Sequence, residues 1–182
     1  MSDPNIFAAN AAKLNELHDA IHSALKHRDE NPAGHAVWEE ACRRFHLEYD
    51  ALAFPGGLAK AFSQLELGDP TTLELAVRFL EVNPHFFRSG YHKVDFIKHL
   101  CRNPLSDDQK KRLQQVVLAR IRGRDIREFR AYCRLARAVT NPEFQKQVAQ
   151  MAGPSGGTVP RHAQWVLNFL KSAQSSDDPS PR

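Results

Sequence analysis

Four regularly spaced Asn/Asp–Pro pairs, of seven in the sequence, constrain this chain more than any other feature. They are Asn31–Pro32, Asp69–Pro70, Asn103–Pro104 and Asn141–Pro142, with the prolines 38, 34 and 38 residues apart. An Asn or Asp offers a side-chain acceptor to the free N–H groups of a first helical turn, and a proline just after it lacks the N–H that would go unsatisfied there. The residue before a proline also avoids the helical region, so each pair stops whatever helix precedes it. Between the pairs, apolar residues recur at steps of three and four, and no segment alternates as a half-buried strand would. Each interval holds about two helices, and the chain reads as all-α.

Taken in order, Phe7, Leu14, Leu17, Ile21 and Leu25 mark a first helix reaching about Arg28, and Trp38, Cys42, Phe45 and Tyr49 mark a second. Phe54-Pro55-Gly56-Gly57 breaks it, and a short helix follows with Leu58, Phe62 and Leu65 inward. Thr71 to Glu74 has capping-box spacing ahead of the stripe Leu73, Val77 and Leu80, which Asn83–Pro84 ends. Phe87, Tyr91, Val94, Ile97 and Cys101 mark the next helix, closed by Asn103–Pro104. Two helices, Ser106–Arg122 and Asp125–Val139, are then joined at Gly123, the first opening with the S-x-x-Q spacing of a capping box. Phe144, Val148 and Met151 face inward after Pro142. A Gly/Pro/Ser loop over 153–157 leads to a last helix with Trp165, Phe169 and Leu170, and Trp38 and Trp165 are expected in the core. The expected organisation is one all-α domain over 1–171 and a disordered tail over 172–182.

Intervals of this length with two helices each are typical of stacked helical hairpins. Over roughly 32–171 the chain resembles HEAT-type helical repeats in period, proline placement and helix pairing. The resemblance implies a solenoid of stacked antiparallel helical hairpins presenting an extended surface. An irregular helical bundle whose turns contain proline is the alternative.

Charge is unevenly distributed. Residues 1–69 carry 6 Lys+Arg against 11 Asp+Glu, a net of −5, whereas residues 70–141 carry 15 against 7, a net of +8. A basic middle favours acidic partners, either an acidic protein surface or nucleic acid. Cys42, Cys101 and Cys133 form no C-x-x-C and read as free thiols in a reducing compartment. No basic leader and no spanning apolar run is present, so a cytoplasmic protein with no membrane partner is expected.

The sharpest local feature is an arginine stripe. Arg127, Arg130, Arg134 and Arg137 follow one another at steps of three, four and three, which places them on one helix face beside the apolar face of Ile126, Phe129, Cys133 and Ala136. Arg120, Arg122 and Arg124 lie just before it. Guanidinium groups are always charged and present a planar fork to carboxylates and phosphates. Arg120, Arg124, Arg127, Arg130, Arg134 and Arg137, with Arg88 and Lys93, are therefore the expected partner-binding residues. The four stripe arginines are expected to be exposed, on the same side as Arg88 or Lys93. A solvated face that pairs with acidic residues of a neighbouring helix is the competing reading.

Other clusters carry less. His18 with His22, and His92 with Asp95 and His99, have helical spacing suited to metal ligation, but neither supplies a full set of three or four ligands, so no metal or cofactor is expected. The run Phe86 to Lys93 mixes aromatics with bases and suits stacking on nucleobases or a protein interface, or simply places Phe87 and Tyr91 in the core. No phosphate loop and no nucleophile motif is present. The expected function is a non-enzymatic binding module or adaptor, immunity- or antitoxin-like, that holds an acidic protein partner through its basic central helices. The alternatives are a nucleic-acid-binding helical repeat and a HEAT-like DNA glycosylase, the latter using Asp95, Tyr91 and Trp165.

Overall fold

A computed structural model describes residues 5–153 and 156–174 of the chain. Among the described residues there are nine α-helices and no strand: α1 (Ile6–Leu25), α2 (Pro32–Ala53), α3 (Leu58–Glu66), α4 (Pro70–Val82), α5 (Ser89–Leu100), α6 (Asp107–Arg122), α7 (Phe129–Ala138), α8 (Pro142–Met151) and α9 (Thr158–Gln174). None of the described helices is long and apolar enough to cross a membrane.

Three of the four Asn/Asp–Pro pairs start helices. Asn31 accepts from the Gly34 N–H at 2.9 Å, Asp69 from the Thr72 N–H at 2.7 Å and Asn141 from the Phe144 N–H at 2.8 Å, each with proline at the first helical position. Asn103 acts differently: its side-chain amide donates to the His99 carbonyl and closes α5. The cap of α6 is Ser106, which with Gln109 forms the full reciprocal capping box. The Thr71–Glu74 box is not formed, because Asp69 is the cap and Thr71 already lies inside the first turn, while Asp69 accepts from both the N–H and the hydroxyl of Thr72. Those bonds hold the Asp69 carboxyl below the usual carboxylate range.

The helices fall into two compact units, divided in the chain between His92 and Lys93. In the first, α1 packs along α2, and Phe7 meets Phe54 and Phe79 with ring centroids 5.6 and 5.4 Å apart. Phe54 and Phe79 themselves lie 6.0 Å apart, so three rings join α1, the α2–α3 turn and α4. Gly57 sits in that turn at a φ of 91°, a conformation that favours glycine. In the second unit α7 packs against α6 and α9, and α9 also contacts α6 and α8. Leu113, Val117, Ile121, Tyr132, Leu135, Ala136, Val148, Ala163 and Val166 form its core.

Several expectations are corrected. The first helix stops at Leu25, and Leu25 is exposed. Phe87 and Tyr91 are exposed rather than in the core, since α5 begins only at Ser89 and turns Phe96, Ile97 and Leu100 inward. Trp38 is half-buried and Trp165 is exposed. Of the expected tail, residues 172–174 belong to α9 and 175–182 lie outside the described residues.

Candidate functional site

The arginine stripe is divided by the fold. α7 was expected from Asp125 but begins at Phe129, so only Arg130, Arg134 and Arg137 are helical, and Arg127 lies in the turn before them. The reason lies in α9. Arg161 donates to both oxygens of Asp125, at 2.7 and 2.6 Å, and His162 Nε2 lies 2.7 Å from Asp125 Oδ1. The carboxylate that would start a helix at 125 is held by α9 instead, and these two partners, Arg161 first, keep its pKa below the usual range. His162 is fully buried, with Nδ1 facing the Ile121 carbonyl at 3.2 Å and its ring stacked on Phe129 at 4.2 Å. Both of its nitrogens face acceptors, so a neutral ring, which has one N–H, can donate to only one of them at a time.

Arg127, Arg130, Arg134 and Arg137 are all exposed, and among the described residues none of their side chains makes a hydrogen bond or an ion pair. Arg134 and Arg137 line a groove of about 540 Å³ between the C-terminal parts of α5 and α7. Its cationic wall is completed by Lys98 and Arg102, and its floor is Val94, Ile97, Cys101, Ala131 and Ala138. Among these lining residues there is no carboxylate and no aromatic ring. Cations are favoured at helix C-termini, which explains why these residue types stand here. Each helix end supplies only about half a negative charge, so four full charges leave the groove near a net of +3. Burial pushes the Cys101 thiol up, against the pull of Arg137 and Arg134, so the floor stays a neutral thiol at neutral pH.

A second groove, of about 490 Å³, is lined by Asp125, Ile126, Arg127, Arg161 and Trp165. Trp165 is 46% exposed, and the Arg161 guanidinium stands 5.6 Å from the centre of its ring. Behind it, Trp165 packs on the buried rings of Phe129 and His162, with centroids 5.9 and 5.6 Å away.

The remaining expected residues are dispersed. Arg124 is exposed and Arg120 half-buried, and neither lines these grooves. Lys93 is the clear correction: it is only 3% exposed, because the helical period of α5 places it on the inward face with Phe96, Ile97 and Leu100. Burial lowers its pKa to about 8, while Glu128 opposes that shift. Arg88 belongs to the first unit, where it is exposed, has a φ of 67° and stands over the Phe87 ring at 5.8 Å. His18 and His22 pack their rings against each other, and His18 stacks on Phe87 at 5.0 Å. Neither Tyr91 nor Asp95 lines either groove.

Sequence reasoning missed Lys98 and Arg102. They are four residues apart at the end of α5, a spacing open to inspection, but only the packing of α5 beside α7 makes them part of one site. Comparison with family models, curated proteins and solved structures found no match, so the reading of the site rests on its geometry.

Proposed function

We propose that this chain is a binding module that holds an acidic protein segment in the groove between α5 and α7. The observation that carries the reading is a wall of Lys98, Arg102, Arg134 and Arg137 over an apolar floor with no lining carboxylate. Cations around an apolar floor fit a segment that mixes carboxylates with aliphatic side chains, because carboxylates meet the guanidinium forks while the aliphatic groups leave water. Nucleic acid is the second reading, since phosphate attracts the same guanidinium groups. The groove, however, lacks the aromatic platform on which single-stranded bases stack. The stacked-hairpin architecture is part of this reading. It is supported by two helices in each interval between Asn/Asp–Pro pairs and by helix starts at three of those pairs.

The test is fluorescence anisotropy with two labelled probes of equal charge, an Asp/Glu-rich peptide and a single-stranded oligonucleotide, each titrated at several salt concentrations. The peptide should bind. Changing Arg134 and Arg137 together to Glu should weaken it by at least about 30-fold, as expected when interfacial charge pairs are lost, with the thermal melt little changed. Unchanged affinity in that variant would reject the groove as the site. Tighter binding of the oligonucleotide, with a steep fall in affinity as salt rises, would favour the nucleic-acid reading.

A further inference from the structure

The two grooves of the second unit meet the arginine stripe at different points: the first is lined by α7 itself, the second by the 125–127 connection before it and by α9. Arg134 and Arg137 stand in the first, Arg127 in the second, and Arg130 is exposed between them. At a rise of about 1.5 Å per residue, the helical part of the stripe, Arg130 to Arg137, covers roughly 10 Å, and Arg127 in the turn before it extends the row, so that an extended peptide of about five residues reaches along it. The ends of this track differ in chemistry. The α5–α7 end is cationic without any lining carboxylate. The far end offers exposed apolar surface, Ile126 half-buried and Trp165 exposed. Its one carboxylate, Asp125, is already occupied by Arg161 and His162. Arg161 is spent on that pairing and on covering the indole, which leaves Arg127 as the cation facing a ligand there. Tryptophan and arginine are among the residue types enriched where binding energy concentrates at protein interfaces.

We propose that the second groove is the anchor end of one continuous track along α7. On this track an acidic segment seats one apolar side chain between Ile126 and Trp165 and lays its carboxylates over Arg127, Arg130, Arg134 and Arg137. The inference rests on the protein-binding reading of the α5–α7 groove and adds to it a position-specific apolar anchor about five residues from the acidic cluster. Charge complementarity selects the acidic part of the segment, and the exposed indole and Ile126 select the anchor.

The experiment uses the full chain carrying Trp38→Phe, which leaves Trp165 as the one tryptophan. Two probes are titrated: an all-Glu peptide, and the same peptide with a leucine about five residues from the Glu cluster, made with the leucine at either end. The leucine peptide in one orientation should bind about tenfold more tightly than the all-Glu peptide and shift Trp165 emission to the blue. Trp165→Ala should remove that tenfold difference while leaving all-Glu binding unchanged. Ile126→Ser, in a non-helical connection, should remove it too, so that a folding defect in one variant does not decide the matter. Equal affinities for both peptides with no change in Trp165 emission would overturn the anchor and leave the α5–α7 groove standing. Failure of both peptides to bind would overturn the protein-binding reading and the anchor with it.

Discussion

The helices α2 and α7 use their charges in different ways. α2 has 22 residues, and only Phe45 and Ala53 of them are buried. α7 has 10 residues and buries Phe129, Ala131, Tyr132, Cys133, Leu135 and Ala136. Both arginines of α2 are paired with carboxylates of the same helix. Arg43 pairs with Glu40 at 2.6 Å, Arg44 with Glu48 at 3.9 Å, and His35 lies 3.6 Å from Glu39. Those pairs, three or four residues apart, are worth only a few tenths of a kcal/mol each, but they leave neither α2 guanidinium without a carboxylate on its own helix. The arginines of α7 have no such partners on their own helix, because every other surface position there is apolar or small. The lesson is that charge content does not mark a binding face. Under the proposed reading, unpaired charge on a helix held by its other face is the better marker, since that packing fixes where the side chains leave the backbone before a partner arrives.

The largest expected effect tests the rigidity half of this contrast. Leu135→Ala in α7 should destabilise the protein by about 2–5 kcal/mol, the range for truncating a fully buried leucine. Leu47→Ala in α2, where the leucine is 72% exposed, should change stability by no more than about 0.5 kcal/mol. Urea denaturation of both variants checks this, and comparable losses would erase the distinction between the two helices.

A smaller effect concerns the cation that the second unit buries. Lys93→Met should stabilise the protein by on the order of 1–2 kcal/mol at neutral pH, because the variant no longer desolvates an ammonium and Met fills a similar volume. Burial lowers the folded-state pKa of Lys93 to about 8, below its ordinary value. Between about pH 8 and the ordinary lysine range the unfolded chain therefore binds more protons than the folded one, and stability rises with pH. The advantage of the Met variant should be full below pH 8 and shrink as pH rises through that window. Denaturant midpoints taken from pH 7 to 10.5 measure it. A constant difference across that range would mean that Lys93 finds a compensating partner.

The smallest effect separates a charge pair between elements from one within a helix. Asp125 and Glu40 are both held below the usual carboxylate range, Asp125 chiefly by the Arg161 hydrogen bond and Glu40 by that of Arg43. For such depressed carboxyls the stabilisation is present above the unfolded pKa and disappears as pH falls through the folded one. Asp125→Asn should therefore lower the melting temperature at neutral pH, with the gap to wild type closing in acid. Because Asp125 joins the α6–α7 connection to α9, it should also speed amide exchange at 124–128. Glu40→Gln should leave exchange unaltered outside its own helix. Equal exchange behaviour in the two variants would mean that the Asp125 contacts do not hold the connection.

The sequence by itself determined the helical class, most helix starts and the existence of a basic α7 face. These are local matters: a capping side chain finds its N–H donor three residues on, as Asn31, Ser106 and Asn141 do, and an amphipathic period is written in the spacing of its own residues. Only the tertiary structure decided where α7 starts, which way α5 faces and what shares a groove. Asp125 has ordinary helix-start chemistry until Arg161 and His162, more than thirty positions later, claim its carboxylate. Lys93 and Lys98 look alike in sequence, yet the rotation of α5 buries one and places the other in the groove beside Arg134. Trp165 has the spacing of a core residue and still reaches solvent, because the inward face of α9 is already filled by His162, Ala163 and Val166. Each of those outcomes depends on which surface a neighbouring helix covers, and that is set by packing between segments distant in the chain.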